Sequence, residues 1–297
     1  MTATNPLEYG FPPKGYRLPD DTRLGAVRLQ ISDLARSVAW YQSVLGLDVI
    51  ASTDTNASLA PRGETAPLIE LREKRGIKPV PRRGLLGLYH YAILLPDRLA
   101  LGRFIAHLAR LGLHAGMSDH FVSEAVYIDD PDGLGIEVYA DRPREAWKHE
   151  NRQLIMATEP LKGQELVAAA GGEPWDGLPS GTVIGHVHLH VGDIERAAAF
   201  YHDLVGFDKI VWNYPGALFM SAGGYHHHLG TNVWAAQSPP ASENDAKLIE
   251  WEIVVPSAKD VDDVAASVKN GGGTVGREGA TILLRDPWGT AVRITGA

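Results

Sequence analysis

The sequence predicts an α+β fold in which four similar βαβββ units form two pseudo-symmetric, barrel-like modules. The stretch GAVRLQISDLARSVAWYQSVLGLD, from Gly25, recurs without a gap from Gly185 as GHVHLHVGDIERAAAFYHDLVGFD. At the same spacing, LYHYAILLPD from Leu88 aligns with LIEWEIVVPS from Leu248. Two repeats at one spacing indicate that a structural unit is duplicated along the chain. The units begin near Leu24, Leu88, Ile184 and Leu248.

Each unit is predicted to begin with a strand and a helix and to end in further strands. In units one and three, Asp33 and Asp193 follow an alternating hydrophobic pattern and are placed to cap the next helix. Gly46 and Gly206 stand where these helices should end, because glycine readily takes the left-handed conformation found there. In units two and four, the segments DPDGLGIEVYA and DPWGTAVRITG each predict a turn that leads into a strand.

The repeats also suggest how the chain divides into domains. Between the second and third units, the segment RPREAWKHENRQ is followed by the Gly- and Pro-rich AAAGGEPWDGLPSG, which is typical of a helix and a linker. We therefore expect an N-terminal arm at 1–21, a first pair of units at 22–145, a linker with a helix at 146–182, and a second pair at 183–297.

Composition excludes several classes of function. The 297 residues carry a formal net charge of −8 and no run of Lys and Arg, so we expect no nucleic-acid or membrane partner. The first residues lack a basic segment followed by an apolar one, and we expect a cytoplasmic protein. With no cysteine among them and 12 histidines, any metal must be held by His, Asp or Glu.

Aligning the four units brings one set of possible metal ligands to light. The first strands carry Ala26, His90, His186 and Glu250 at equivalent positions, and the last strands of units two and four carry Glu137 and Arg293. Two His and one carboxylate on one face are typical of a non-haem Fe(II) centre with open positions. The residues His90, Glu137 and His186 make that set. In contrast, Ala26 offers no donor atom and Arg293 would repel a cation.

The first strand of unit three carries three histidines and leaves an alternative ligand open. His188 and His190 share a strand face with His186, because side chains alternate with a period of two. Either could be the ligand in its place. We favour His186 because its position matches that of His90, whereas His188 corresponds to Arg28.

These segments resemble a known family. The four-unit plan, GHVHLHVGDIERAAAFYHDLVGFD, DPDGLGIEVY and YHHH are similar to the vicinal oxygen chelate superfamily, whose fold is the glyoxalase/bleomycin-resistance/dihydroxybiphenyl-dioxygenase type. Within it, GLYHYAILLPDR and SEAVYIDDPDGLGIEVYADRP resemble the type I extradiol ring-cleavage dioxygenases of the catechol 2,3-dioxygenase branch. The resemblance implies Fe(II), less often Mn(II), a small aromatic diol and O2 as substrates, a muconic semialdehyde product, and a homo-oligomer.

The sequence departs from the best-known members of this family, which take all three ligands from units three and four. In this chain those positions are His186, Glu250 and Arg293, which cannot bind a cation together. Carried to the middle units, the ligands become His90, Glu137 and His186. We therefore predict that units two and three pair into the metal-bearing module and that units one and four pair into the other.

The resemblance also implies residues that contact the substrate. Family members carry an acid-base histidine eight residues after a Phe in a strand. In this chain that histidine is His227, which follows Phe219, and His228 is the alternative for contact with the substrate. A tyrosine ten residues before the ligand Glu corresponds to Tyr127, whose hydroxyl is expected to bind a substrate oxygen. His120, seven residues earlier, is expected to hold the second oxygen.

Two other functions suit the same fold. A glyoxalase-like isomerase would need a fourth protein ligand, which Glu250 could supply if the units paired differently. A metal-free protein that binds an aromatic ligand or drug would keep the cavity without the three ligands. The acidic turn Asp129, Asp130 and Asp132 suggests calcium, but its Asp-Pro-Asp-Gly spacing is better explained by turn formation.

Overall fold

The computed structural model describes residues 9–297 and confirms the α+β fold of four repeated units. Unit one contains β1 (Arg23–Ile31), α1 (Leu34–Trp40, continued by a π-helical turn at Tyr41–Leu45), β2 (Asp48–Ser52), β3 (Asn56–Ala60) and β4 (Ile69–Glu73). Unit two contains β5 (Gly87–Leu94), α2 (Arg98–Leu111), β6 (Gly116–Asp119), β7 (Ser123–Asp129) and β8 (Gly135–Asp141).

The second half of the chain repeats this order after a connecting segment. That segment contains a 3-10 turn (Arg144–Ala146), β9 (His149–Glu150), β10 (Gln153–Leu154), β11 (Glu159–Pro160) and α3 (Gly163–Ala169). Unit three contains β12 (Val183–His190), α4 (Ile194–Ala198, continued by a π-helical segment at Ala199–Val205), β13 (Asp208–Val211), β14 (Ala217–Ser221) and β15 (Leu229–Asn232). Unit four contains β16 (Lys247–Val255), α5 (Ala258–Asn270), β17 (Gly276–Glu278), β18 (Thr281–Arg285) and β19 (Ala291–Gly296).

The ends of the first helix in units one and three follow the predicted signals. The Asp33 and Asp193 side chains each accept a hydrogen bond from the backbone N–H three residues on, which satisfies a donor at the start of the helix. The helical segments end at Gly46 and Gly206, whose φ angles are 69° and 104°. A side chain would be strained at both places, so glycine is the residue that allows the chain to turn back towards the sheet.

Two large sheets form the framework, and each takes one unit from either half of the chain. Strand β5 pairs with β12, which joins units two and three in a sheet of nine strands. Strand β1 pairs with β16, which joins units one and four in a sheet of eight strands. The pairing predicted from the identity of the possible ligands is thus confirmed. Both joining pairs are antiparallel, and the helices pack their buried faces against the sheets.

The apolar core lies between these sheets and the helices. Trp251, Tyr41 and Tyr201 are among its largest fully buried side chains. The two tyrosine hydroxyls donate to Asp130 and Asp286, whose carboxylates also accept backbone N–H groups in the Asp-Pro turns. The acidic turn of unit two is therefore held by its own backbone, as turn formation predicts.

Residues 1–8 of the predicted N-terminal arm lie outside the described residues, and within the described part of the arm Phe11 bridges to Lys209. The division at 1–21, 22–145, 146–182 and 183–297 stays a prediction. None of the helices formed by residues 9–297 has both the length and the hydrophobicity needed to cross a membrane.

Candidate metal centre and substrate cavity

The three predicted ligands come together because three neighbouring strands present them on one face. Ala92 of β5 is opposite Glu137 of β8 on one side and opposite His186 of β12 on the other. Cross-strand neighbours point to the same face of a sheet, and His90 shares that face because it lies two residues before Ala92. The methyl side chain of Ala92 leaves the space between the three larger groups open.

The geometry of this cluster suits a metal ion. The Nε2 atoms of His90 and His186 lie 3.0 Å and 3.1 Å from the same oxygen, Oε2 of Glu137. One ligand atom from each residue can be chosen so that all three lie within 4.8 Å of one another. Among the described residues, Nε2 of His90 is buried without a hydrogen bond of acceptable geometry. A buried nitrogen left in this state, beside a carboxylate oxygen, fits a site that a cation completes.

The protonation states also fit metal binding. Burial lowers the pKa of His186 to about 4, so its ring is neutral. Burial alone would raise the pKa of Glu137, but the two imidazoles beside it hold that pKa well below its usual range. A neutral imidazole and an ionised carboxylate are the forms in which these groups bind a metal.

The two alternative histidines of β12 lie outside the cluster. His188 is directly opposite His90 across the β5–β12 pair, with the two ring centres 5.0 Å apart. Its Nε2 atom is 3.0 Å from Nδ2 of Asn232, and Nδ1 of His190 is 2.7 Å from Oδ1 of the same amide. Both imidazoles are therefore held by Asn232, and His186 is the β12 residue that meets Glu137.

A cavity of about 260 Å³ opens over the cluster. This is near the lower end of the size expected for a ligand pocket, about 300–1,000 Å³. Its walls are rich in aromatic rings and imidazoles. The lining residues are Tyr89, His90, Ser118, His120, Tyr127, Glu137, Met156, Ala157, Thr158, His188, Tyr214, Phe219, His227 and Trp234.

The YHHH segment is a loop between β14 and β15. Gly223 and Gly224 turn the backbone with φ angles of 60° and 65°, so the side chains that follow do not alternate as they would in a strand. His227 enters the cavity, and its ring centre is 4.0 Å from that of His186. Burial holds the pKa of His227 well below 6.5, so the ring is neutral.

The neighbours of His227 face other groups. Nδ1 of His226 lies 2.7 Å from Nδ1 of His227, and Nε2 of His226 lies 2.9 Å from Oδ1 of Asp141. His228 points away from the cavity, where its Nδ1 atom accepts the backbone N–H of Ala222. The structure thus brings His227 to the predicted substrate site and leaves His228 outside it.

Tyr127 and His120 form a pair at the wall of the cavity. Tyr127 of β7 is opposite Glu137 of β8, which sets the phenol beside the metal cluster. Nδ1 of His120 donates to the carbonyl of Ala157, and in the neutral form of the ring Nε2 accepts from the Tyr127 hydroxyl at 2.6 Å. Both nitrogens of His120 are engaged, and the phenol oxygen of Tyr127 remains free to accept a hydrogen bond.

Several lining residues carried no signal in the sequence. Ala157 and Thr158 belong to the connecting segment, and the Thr158 hydroxyl lies 2.9 Å from the hydroxyl of Tyr214 in unit three. No repeat covers this segment, so its approach to the cavity could not be inferred from aligned units. Tyr89 and Trp234, which flank His188, were not singled out in the sequence either.

The equivalent place in the other module holds an ion-pair network. There, Arg28 contacts both Glu70 and Glu250, at 2.7 Å and 2.6 Å. Arg293 contacts Glu250 from the opposite side at 2.6 Å. Two guanidinium groups neutralise the carboxylates, so this set is arranged for ion pairing, as the residue types suggested.

The likeness of the two halves to a known family decides the classification. Residues 23–138 and residues 183–294 both match the family model of the Glyoxalase/Bleomycin resistance protein/Dioxygenase superfamily. The chain belongs to this superfamily.

Relatives within the superfamily narrow the class. The chain is 44% identical over 272 residues to the catechol-2,3-dioxygenase of Bacillus subtilis (strain 168), an alignment that covers 90% of this chain and 95% of that protein. This relative confirms the predicted resemblance and the predicted enzyme class, a catechol-2,3-dioxygenase-like extradiol dioxygenase.

Solved structures show the same fold at low identity. Glyoxalase I from Zea mays has a TM-score of 0.56 and 18% identity, covering 93% of this chain and 92% of that one. The cppA protein from Streptococcus pneumoniae TIGR4 has a TM-score of 0.57 and 12% identity, covering 93% and 98%. At these identities the likeness concerns the fold alone.

Proposed function

We propose that this enzyme catalyses Fe(II)-dependent extradiol (meta) cleavage of catechol or a substituted catechol with O2, giving a 2-hydroxymuconic semialdehyde-type product. The observation that supports it most is the buried His90, Glu137 and His186 cluster at the base of an aromatic-lined cavity. The printed name of the Bacillus subtilis relative supports catechol as the substrate class.

In this proposal, His90, Glu137 and His186 hold the metal from one side. Ligands confined to one face leave coordination positions open towards the cavity. When bound, Fe(II) supplies Lewis acidity and one-electron chemistry to the diol and O2. The single carboxylate offsets one of the two positive charges, and the second charge favours an anionic diol oxygen.

The remaining side chains would position the diol and move its proton. The neutral His227 ring has one nitrogen free in the cavity, which accepts a proton from a diol hydroxyl and later returns it. The phenol oxygen of Tyr127 accepts a hydrogen bond from the substrate, with His120 fixing its orientation. The rings of Phe219 and Trp234 give the aromatic ring an apolar wall and reduce the access of water.

The isomerase alternative loses its main support. It needed a fourth protein ligand, which Glu250 could supply if the units paired differently, but Glu250 lies in the eight-stranded sheet that joins units one and four. There its carboxylate contacts Arg28 and Arg293. A binding protein without metal remains as an outcome of the test below.

The test is to load the protein with Fe(II) under anaerobic conditions, measure bound iron, and add catechol in air. We expect a yellow ring-cleavage product and the uptake of one O2 per catechol. Bound iron without product, for catechol and for methyl-substituted catechols, would refute the proposal. Aromatic ligand binding without iron binding would favour the metal-free binding protein. Loading with Mn(II) in parallel decides between the two metals. The cytoplasmic location and the homo-oligomer stay predictions.

A further inference from the structure

Two imidazoles, His227 and His188, line the cavity beside the proposed metal site. A neutral imidazole has one N–H donor and one acceptor nitrogen, so the group bound to one nitrogen decides what the other offers. Each ring has one nitrogen engaged behind the cavity wall, and the other makes no hydrogen bond to any of residues 9–297.

The hydrogen bonds behind His227 start from a carboxylate. Oδ1 of Asp141 can only accept, so Nε2 of His226, at 2.9 Å, carries the proton. In the neutral form of the His226 ring, Nδ1 is then an acceptor, and it receives the Nδ1–H of His227 at 2.7 Å. In that state, Nε2 of His227 has a lone pair and no proton.

The hydrogen bonds behind His188 start from a backbone amide. Oδ1 of Asn232 accepts the backbone N–H of Trp234 at 3.0 Å and Nδ1–H of His190 at 2.7 Å, which fixes the orientation of the Asn232 amide. Its Nδ2–H group therefore donates to Nε2 of His188 at 3.0 Å. The proton of the His188 ring must then lie on Nδ1.

Space for this ring is provided by a glycine. Gly230 is beside His188 in the parallel β12–β15 pair, and a Cβ atom there would come within 2.9 Å of the imidazole. The ring is thus placed in the wall of the cavity between Phe219 and Trp234, with an exposed fraction of 4%.

We propose that Asp141 and Asn232 fix the tautomers of these two rings so that the cavity presents an acceptor nitrogen at His227 and a donor N–H at His188. His188 is then a substrate-binding residue whose N–H donates to an unprotonated oxygen of the ligand. His227 accepts a hydrogen bond from a second, protonated oxygen of the same ligand. The ligand class is a molecule with both kinds of oxygen, and its identity as a diol rests on the proposed function.

The direct test is a two-bond 1H–15N correlation spectrum of protein labelled with 15N-histidine and loaded with diamagnetic Zn(II). Variants His188→Gln and His227→Gln assign the two rings. We expect Nδ1 protonated and Nε2 unprotonated in both, the reverse of the form that predominates in free histidine. A protonated Nε2 in either ring would overturn the proposal for that ring, whether or not the enzyme is active.

Two variants test what fixes the His188 proton. Asn232→Asp replaces the Nδ2–H donor by an acceptor, so we expect Nε2 of His188 to become protonated in the same spectrum. The matched control is Asn213→Asp, because the Asn213 side chain is exposed, and it should leave the His188 signals in place. An unprotonated Nε2 in Asn232→Asp would show that the amide does not set the tautomer.

Steady-state kinetics then test whether the His188 donor meets the substrate. We expect His188→Leu to lower kcat/KM for catechol about tenfold, the size expected for one lost hydrogen bond. His188→Asn should recover most of that loss, because its amide N–H is placed like Nδ1. Equal kcat/KM in all three proteins at equal bound iron would exclude substrate binding by His188. If wild-type protein cleaves no catechol, the proposed function fails, while the tautomer result stands separately.

Discussion

Glu250 and Arg293 form a 2.6 Å ion pair at the strand positions that correspond to His90 and Glu137 in the other module. The correspondence follows from the strand register. Arg293 is opposite Glu252, which lies two residues after Glu250. In the same way, Glu137 is opposite Ala92, which lies two residues after His90. One fold thus places charge neutralisation in one sheet and a set of possible metal ligands in the other.

The first prediction concerns the stability supplied by this ion-pair network. Glu250→Gln leaves Arg28 and Arg293 largely buried with one carboxylate fewer, so we expect the free energy of unfolding to fall by about 1–3 kcal/mol. Urea denaturation measures it. Glu165→Gln, which removes an exposed pair with Lys162, is the control and should cost under about 1 kcal/mol. Iron binding should be unchanged in both variants, and an iron-free Glu250→Gln protein would contradict this separation.

The second prediction concerns the metal ligands. Glu137→Gln removes the only ionised group of the cluster, and we expect bound iron to fall to a small fraction of the wild-type amount. Glu124→Gln is a matched control, because Glu124 is equally buried in the same sheet but is paired with Arg98 and Arg142. Metal analysis after desalting measures the result. Full iron content in Glu137→Gln would exclude the proposed site.

The third prediction separates two neighbouring histidines. His227→Gln should keep its iron but lower kcat by about 10²–10⁴-fold, the usual contribution of a general acid or base. His228→Gln should keep kcat close to the wild-type value, because His228 faces Ser221 and Ala222 outside the cavity. Oxygen uptake at equal bound iron measures both. The opposite order of effects would assign the role to His228.

The fourth prediction concerns Tyr127. Tyr127→Phe removes a hydroxyl that donates to His120 and accepts from the substrate in our proposal. We expect kcat/KM for catechol to fall about tenfold with iron content unchanged. Phe219→Leu, which changes the cavity wall without removing a polar group, separates a hydrogen-bond effect from a packing effect, because it should act mainly on KM. Unchanged kinetics in Tyr127→Phe would remove the phenol from the site.

The fifth prediction concerns the dependence of stability on pH. Burial raises the pKa of Asp130 to about 7, although two backbone N–H groups oppose this effect. The folded protein therefore holds a proton that the unfolded chain releases near pH 4, so the contribution of Asp130 to stability is present below about pH 4 and is lost as pH rises through about 7. Asp130→Asn should flatten the fall in unfolding free energy over that window. Denaturation curves at several pH values measure it, and an equal slope in both proteins would contradict it.

Local patterns and repeats predicted much of this fold. Asp33, Gly46 and their counterparts in unit three act at the ends of helices through bonds to the nearest residues, so the sequence alone was enough. The pairing of the units was also inferred, because among the aligned positions only His90, Glu137 and His186 together make a compatible set of ligands. That step used chemistry to choose between two topologies that local patterns cannot distinguish.

Other parts of the site depend on contacts that no pattern encodes. The loop before β15 turns at Gly223 and Gly224, so the path of this loop, and not strand alternation, brings His227 to the cavity. The approach of Ala157 to His120 arises from the connecting segment, which has no repeat to align with. The role inferred for His188 required the orientation of the Asn232 amide, which depends on three partners brought together by folding.

The pairing of units across the two halves also sets the order of events during synthesis. Strands β1 and β5 leave the ribosome first, but their partners β16 and β12 belong to the second half of the chain. Until those strands are made, the nascent first half has two open strand edges, which are sites for non-native association. The protein should therefore depend on protection by chaperones early in its synthesis, and its metal cluster cannot be assembled before β12 has been translated.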